Sequence, residues 1–135
     1  VSRRSCWNLQ RGNALSCAAG LAGIEFMERH SLADRAKQLG QKTLKRCSEL
    51  KSKFSVIGDV RGRGLYVGGE LVKKDGAPDP ELLARLQKEC FPKGLIVWKG
   101  GRFGNVARVM PALVITEDLL DDGLTIFEQG LRAVT

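Results

Sequence analysis

The sequence predicts an α+β domain in which a small, mostly antiparallel sheet is covered by helices, with elements in the order ααββαββα. Three observations carry that expectation. Apolar or small residues at Leu32, Ala36, Leu39, Thr43, Cys47, Leu50 and Phe54 recur at three- and four-residue steps, the period of one helical face. Leu120, Leu124, Phe127, Leu131 and Val134 repeat that period near the end of the chain. Between these stretches, residues 56–72 are punctuated by glycine and rich in strand-forming side chains. A length of 135 residues suits a single domain spanning 1–135.

The elements follow in order. Gly12-Asn13 signals a turn or a helix start, and the stretch from Ala14 to about Arg29 is apolar and small enough to predict a helix buried on most sides. Ser31 is placed to cap the second helix. Val56–Gly64 and Leu65–Val72 predict two strands joined through Gly62–Gly64, with glycines marking bulges or close backbone approach. After a loop from Lys73 to Pro78, Asp79-Pro80-Glu81 combines an N-cap, a proline at the first helical position and an acid in the first turn. Leu82, Leu83, Leu86 and Cys90 supply that helix's buried face, and Pro92 and Gly94 end it. Leu95–Trp98 and Val106–Val109 predict two further strands around a turn at Gly100-Gly101. Thr116 caps the last helix.

Composition narrows the function classes. Hydrophobic residues make up 43% and charged residues 27%, and no run approaches the roughly 18 apolar residues of a membrane span. Nothing at Val1–Ser5 resembles a secretory signal, so the expectation is a cytoplasmic protein, with the mitochondrial matrix as the alternative. Residues 1–54 hold eleven Lys and Arg against four Asp and Glu, whereas residues 55–135 hold eleven of each. Such a basic half suits nucleic acid or phosphate. However, Arg35, Lys37, Lys42, Lys45, Arg46, Lys51 and Lys53 lie between the apolar positions of one helix without interleaved aromatics. A solvated helix face is therefore favoured and nucleic-acid binding is not expected. Cys6, Cys17, Cys47 and Cys90 form no metal-ligand pairing, and the one histidine, His30, stands at a helix end. Reduced thiols and no metal site are expected.

Few residues carry chemistry on pattern alone. A hydrolytic triad has only His30 as its base. Gly62-Arg63-Gly64 and Gly68-Gly69 match neither dinucleotide nor P-loop spacing and read as strand-turn glycines. Arg108 follows Gly104-Asn105-Val106 and precedes Met110-Pro111. There a guanidinium either holds a carboxylate bidentately or is a plain surface arginine.

The segment Gly58-Asp59-Val60-Arg61-Gly62-Arg63-Gly64-Leu65-Tyr66-Val67-Gly68-Gly69-Glu70-Leu71 resembles part of the class III pyridoxal-phosphate aminotransferases, the ornithine and 4-aminobutyrate type. Lys93–Val97 and the run Gly104-Asn105-Val106-Ala107-Arg108-Val109-Met110-Pro111 resemble it too, as do Gly12-Asn13-Ala14 and the helix after them. The resemblance covers nearly the whole chain. It implies the C-terminal, small-domain part of a fold-type I subunit whose large domain, with the Schiff-base lysine, lies outside this chain. No catalytic residue is then expected here, and the isolated chain is expected to be inactive.

By position, the resemblance assigns Arg108 to a substrate carboxylate and Asn8 and Leu9 to the cofactor phosphate of a neighbouring subunit. The family threonine falls at Leu9, which has no hydroxyl, so Asn8 or Arg11 would substitute. Ala14 and Ala112 stand where the family has proline. The parent would be a homodimer using pyridoxal phosphate to pass an amino group from an amino acid or ω-amine to a 2-oxo acid. The alternative is a non-catalytic binding or oligomerisation domain with a basic helix.

Overall fold

The computed structural model describes residues 13–135. The chain divides into two compact units, Val1–Asp34 and Arg35–Thr135. In the first, helix α1 (Ala14–Arg29) starts where the Asn13 side chain accepts a hydrogen bond from the Leu15 amide at 3.0 Å. It stops at His30 and Ser31, whose amides donate to Phe26 O at 3.1 Å and Glu28 O at 3.0 Å. Ser31 has φ 47°. This left-handed residue closes α1, in the manner of many helix ends, rather than taking the extended conformation of an N-cap for the next helix.

No residue of α1 is buried, and Leu15 is 79% exposed. The expectation of a helix buried on most sides is thereby corrected. Apolar side chains all round a helix favour burial only where a second layer exists, and the described residues of this unit supply none.

Helix α2 (Leu32–Lys53) carries the predicted periodicity into the second unit. There, β1 (Ile57–Arg63) and β2 (Tyr66–Leu71) form an antiparallel hairpin. The register closes on Arg63 opposite Tyr66, leaving the two-residue turn Gly64-Leu65. Gly64 has φ 54°, a conformation only glycine adopts without strain. The predicted bulge falls at Gly58, where the register shifts between Ile57 and Asp59.

Helix α3 (Pro80–Cys90) begins as expected, the Asp79 side chain accepting from the Leu82 amide at 2.9 Å. A single 3₁₀ turn, Phe91–Lys93, and Gly94 at φ 87° end it. Strand β3 spans Trp98–Gly100, not Leu95–Trp98 as the sequence suggests. The reason lies in the backbone. The Leu95 amide donates to Cys90 O at 3.1 Å and the Val97 carbonyl accepts from Gln87 Nε2 at 2.8 Å, so α3 uses these groups before a ladder forms.

Strand β4 (Val106–Val109) and helix α4 (Glu117–Val134), capped by Thr116, complete the predicted order. The sheet order is β1-β2-β4-β3, antiparallel throughout. Leu71, Ala107, Leu83, Leu86, Phe127 and Leu131 belong to one buried cluster. Leu39, Cys47, Val67, Leu120 and Leu124 belong to a second. Helices α2, α3 and α4 therefore share one face of the sheet, and burying each large side chain contributes roughly 1.5–3 kcal/mol.

Charge locks α2 to α4. Lys42 Nζ lies 2.7 Å from Asp121 and 3.4 Å from Glu117. Arg46 and Lys53 reach Glu128 at 2.9 and 3.2 Å, and Arg132 joins them at 2.9 Å. Arg35 donates to the Ile115 carbonyl. Much of the basic helix face is thus occupied by partners within the unit. Among the described residues, no helix is long and apolar enough to cross a membrane.

Two outcomes test this packing. The hydrogen bond from Arg132 holds the Glu128 carboxyl below its ordinary range, with Lys53 and Arg46 adding to it and burial opposing. A lowered folded-state pKa means that the stabilisation is complete above the unfolded value and lost as pH falls through the folded one. Glu128→Gln should cost roughly 1–3 kcal/mol at neutral pH, with the gap closing as pH falls through and below the ordinary carboxylate range, read by urea denaturation. Separately, a Cβ on Gly130 would lie 2.6 Å from Cys90 Sγ and 2.9 Å from Leu86 Cδ1. Gly130→Ala should therefore destabilise, the overpacking cost of about 1–3 kcal/mol outweighing the helix-propensity gain of about 1. In a Cys90→Ala background, where only the Leu86 contact remains, the loss in unfolding midpoint should be smaller.

Candidate functional site

Pleating sorts the side chains of β2 and β4 between two faces. Val67 and Ala107, each 1% exposed, point into the helices. Tyr66, Gly68 and Glu70 on β2, with Val106 and Arg108 on β4, therefore occupy the opposite face. The ladders set Gly68 and Trp98 directly across from Arg108, one on each neighbouring strand. Arg108 thus sits on an inner strand of the sheet, on the side the helices leave uncovered.

The guanidinium carbon of Arg108 lies 5.9 Å from the centre of the Tyr66 ring, within cation–π range. Glu70, the acid on the same face, is taken by Arg61 Nη1 at 3.2 Å and by Asn105 Nδ2 at 3.3 Å. Arg61 also pairs with Asp59. Among the described residues, no carboxylate pairs with Arg108. A guanidinium with an aromatic neighbour and no internal counter-ion is equipped to receive a carboxylate from outside the unit.

Asn105 explains the Gly-Asn-Val motif in structural terms. Its buried side chain donates to the Leu71 carbonyl at 2.9 Å, while its own carbonyl accepts from the Leu71 amide at 2.8 Å. These bonds fasten the start of β4 to the end of β2 and so fix the phase in which Arg108 faces outward. Tyr66, Trp98 and Glu70 were not singled out by sequence reasoning, because their relation to Arg108 exists only through strand register.

A cleft of about 140 Å³ that Arg108 also lines opens against α4, with Val97, Met110, Pro111, Leu119 and Phe127 among its other walls. Arg108 is its one ionisable lining residue, so the cleft carries no acid–base pair. Asn8 and Leu9, assigned by resemblance to a cofactor phosphate, lie outside the described residues, as does Arg11. The cleft is lined by no lysine and by no cation besides Arg108, so its lining does not by itself fit pyridoxal phosphate. The described residues hold no cluster of His, Cys, Asp and Glu suited to a metal ion.

The family model for class III aminotransferases matches residues 9–131. An alanine/serine racemase of Pyrococcus horikoshii is 39% identical over 98% of this chain and 30% of its own length. A 4-aminobutyrate aminotransferase of Mycobacterium leprae is 40% identical over 89% of this chain and 27% of its own. A Bacillus anthracis aminotransferase structure superposes with a TM-score of 0.80 and 30% identity, covering 87% of this chain and 28% of that one. The chain therefore spans under a third of the length of these relatives.

Cys17, Cys47 and Cys90 are free thiols, and Cys6 lies outside the described residues. Burial pushes the Cys47 thiol up to about 11 and raises that of Cys90 as well. Since the thiolate is the reactive form, neither is a nucleophile in the folded unit. In a Cys6→Ser background, an aromatic disulfide reagent at mildly alkaline pH should titrate one thiol, the exposed Cys17. Two more should appear on adding guanidinium chloride.

Proposed function

Because the chain belongs to the class III aminotransferase family, we propose that it is the C-terminal part of a subunit that moves an amino group from an amino acid or ω-amine to a 2-oxo acid. Arg108 holds the substrate carboxylate. The observation that carries this reading is the outward-facing Arg108 without an acidic partner among the described residues, beside the Tyr66 ring. Pyridoxal phosphate, bound by the large domain of the parent, would supply the electron sink for the chemistry. The residues of this chain bind and orient. The guanidinium presents two parallel N–H donors to a carboxylate, and Tyr66 flanks it. In the same reading the parent is a cytoplasmic homodimer, and Asn8 and Leu9 are the positions the resemblance assigns to the cofactor phosphate of the neighbouring subunit.

A second reading, racemisation of a small amino acid, is supported by the match to the Pyrococcus horikoshii enzyme across 98% of the chain. It predicts formation of the D-amino acid from the L-form without consumption of any 2-oxo acid. Transamination predicts stoichiometric conversion of the acceptor.

In the full-length protein carrying this chain, Arg108→Lys should raise KM for a carboxylate-bearing donor by about one to two decades, the cost of roughly 1.5–3 kcal/mol for a lost charge-assisted hydrogen bond. Arg108→Ala should cost more. A donor without that carboxylate should be nearly unaffected in both variants. Steady-state kinetics with the paired donors checks this. Equal losses for both donors would assign Arg108 to holding the strand instead.

A further inference from the structure

Resting on the carboxylate reading of Arg108, we propose that Gly100 is a positioning residue: by lacking a side chain, it leaves the space on β3 in which the Arg108 guanidinium lies, and so sets where a carboxylate is held. Gly100 pairs with Val106 and Trp98 with Arg108, so both β3 residues share the uncovered face with the arginine. A Cβ built on Gly100 would overlap the Nε, Cζ and Nη2 atoms of Arg108. Gly100 is itself buried, although its strand neighbours Trp98 and Lys99 are exposed.

The backbone gives no other reason for glycine at this position. Gly101 and Gly104 take φ of 81° and 66°, whereas Gly100 is not among the glycines with positive φ. Glycine weakens a strand interior, and here the compensating feature is room. The Tyr66 ring, 5.9 Å from the guanidinium carbon, bounds the same group. What a methyl group at Gly100 would displace is the tip of a flexible side chain, not backbone. The fold should therefore tolerate alanine while the guanidinium moves.

The test uses the full-length protein carrying this chain and a pair of amino donors, one with a carboxylate and one without. Gly100→Ala should raise KM for the carboxylate donor by about tenfold. It should leave kcat and the plain amine within about twofold, and the melting temperature unchanged. In an Arg108→Ala background, Gly100→Ala should add nothing, because no guanidinium remains to displace. Equal effects on both donors, or the same loss in the Arg108→Ala background, would overturn the proposal. So would loss of the fold, since only the arginine tip is required to move. If Gly100→Ala changes neither KM while Arg108→Ala remains selective, the positioning role fails and the carboxylate reading stands. If Arg108→Ala is itself unselective, both fall.

Discussion

A pleated sheet covered by helices on one side must turn half of its side chains away from them, and this alternation organises the whole unit. Val67 and Ala107 are each 1% exposed because they face α2, α3 and α4. Their chain neighbours Gly68 and Arg108 are consequently forced to the other side. A slip of one residue in the β2–β4 register would bury the guanidinium and expose the alanine. Asn105 guards against that slip, because both its side chain and its backbone bond to Leu71. The burial that holds the domain together and the presentation of Arg108 are thus one structural fact. The uncovered face keeps large apolar side chains in the open, among them Trp98 at 61% exposure and Tyr66 at 52%.

The positive charge of the first 54 residues has a different meaning once α4 is in place. Lys42, Arg46 and Lys53 contact Asp121 and Glu128, which lie on a helix that opens with two acids of its own. The lysine partners are well exposed, so those bridges contribute little each. Glu128 differs because its side chain is only 10% exposed and three cations converge on it. Removing that carboxylate leaves three like charges facing one another.

Local signals were legible in the sequence, and signals that depend on partners were not. Asp79 and Thr116 cap helices as read and Asn13 starts one, since these features involve only the next two or three residues, whereas Ser31 closes α1 instead of capping α2. The helical phases of α2 and α4 were equally plain. Strand β3 was misplaced because Gln87, ten residues earlier in the chain, takes the Val97 carbonyl. The burial of α1 was misjudged because composition records what a helix would bury, not what is present to cover it. At the site, residue pattern left Arg108 open between a carboxylate ligand and a surface arginine, and the family resemblance favoured the first. Tyr66, Trp98 and Gly100 come from two other strands, and no sequence spacing expresses that they meet.

The clasp between α2 and α4 joins residues far apart in the chain: Arg46 and Glu128 are separated by 82 positions. At a synthesis rate of roughly 5–20 residues per second, the acidic partner follows its cation by about 4–16 seconds. Helix α2 therefore emerges as a basic, half-apolar rod whose covering layer has not yet been made. Contacts of this separation also slow folding in general, because the intervening chain must close before they reward it. The hairpin of β1 and β2, closed by a two-residue turn, can form in that interval. The order of synthesis thus sets a waiting period in which the nascent unit exposes both its cations and its apolar seam, and α4 ends it.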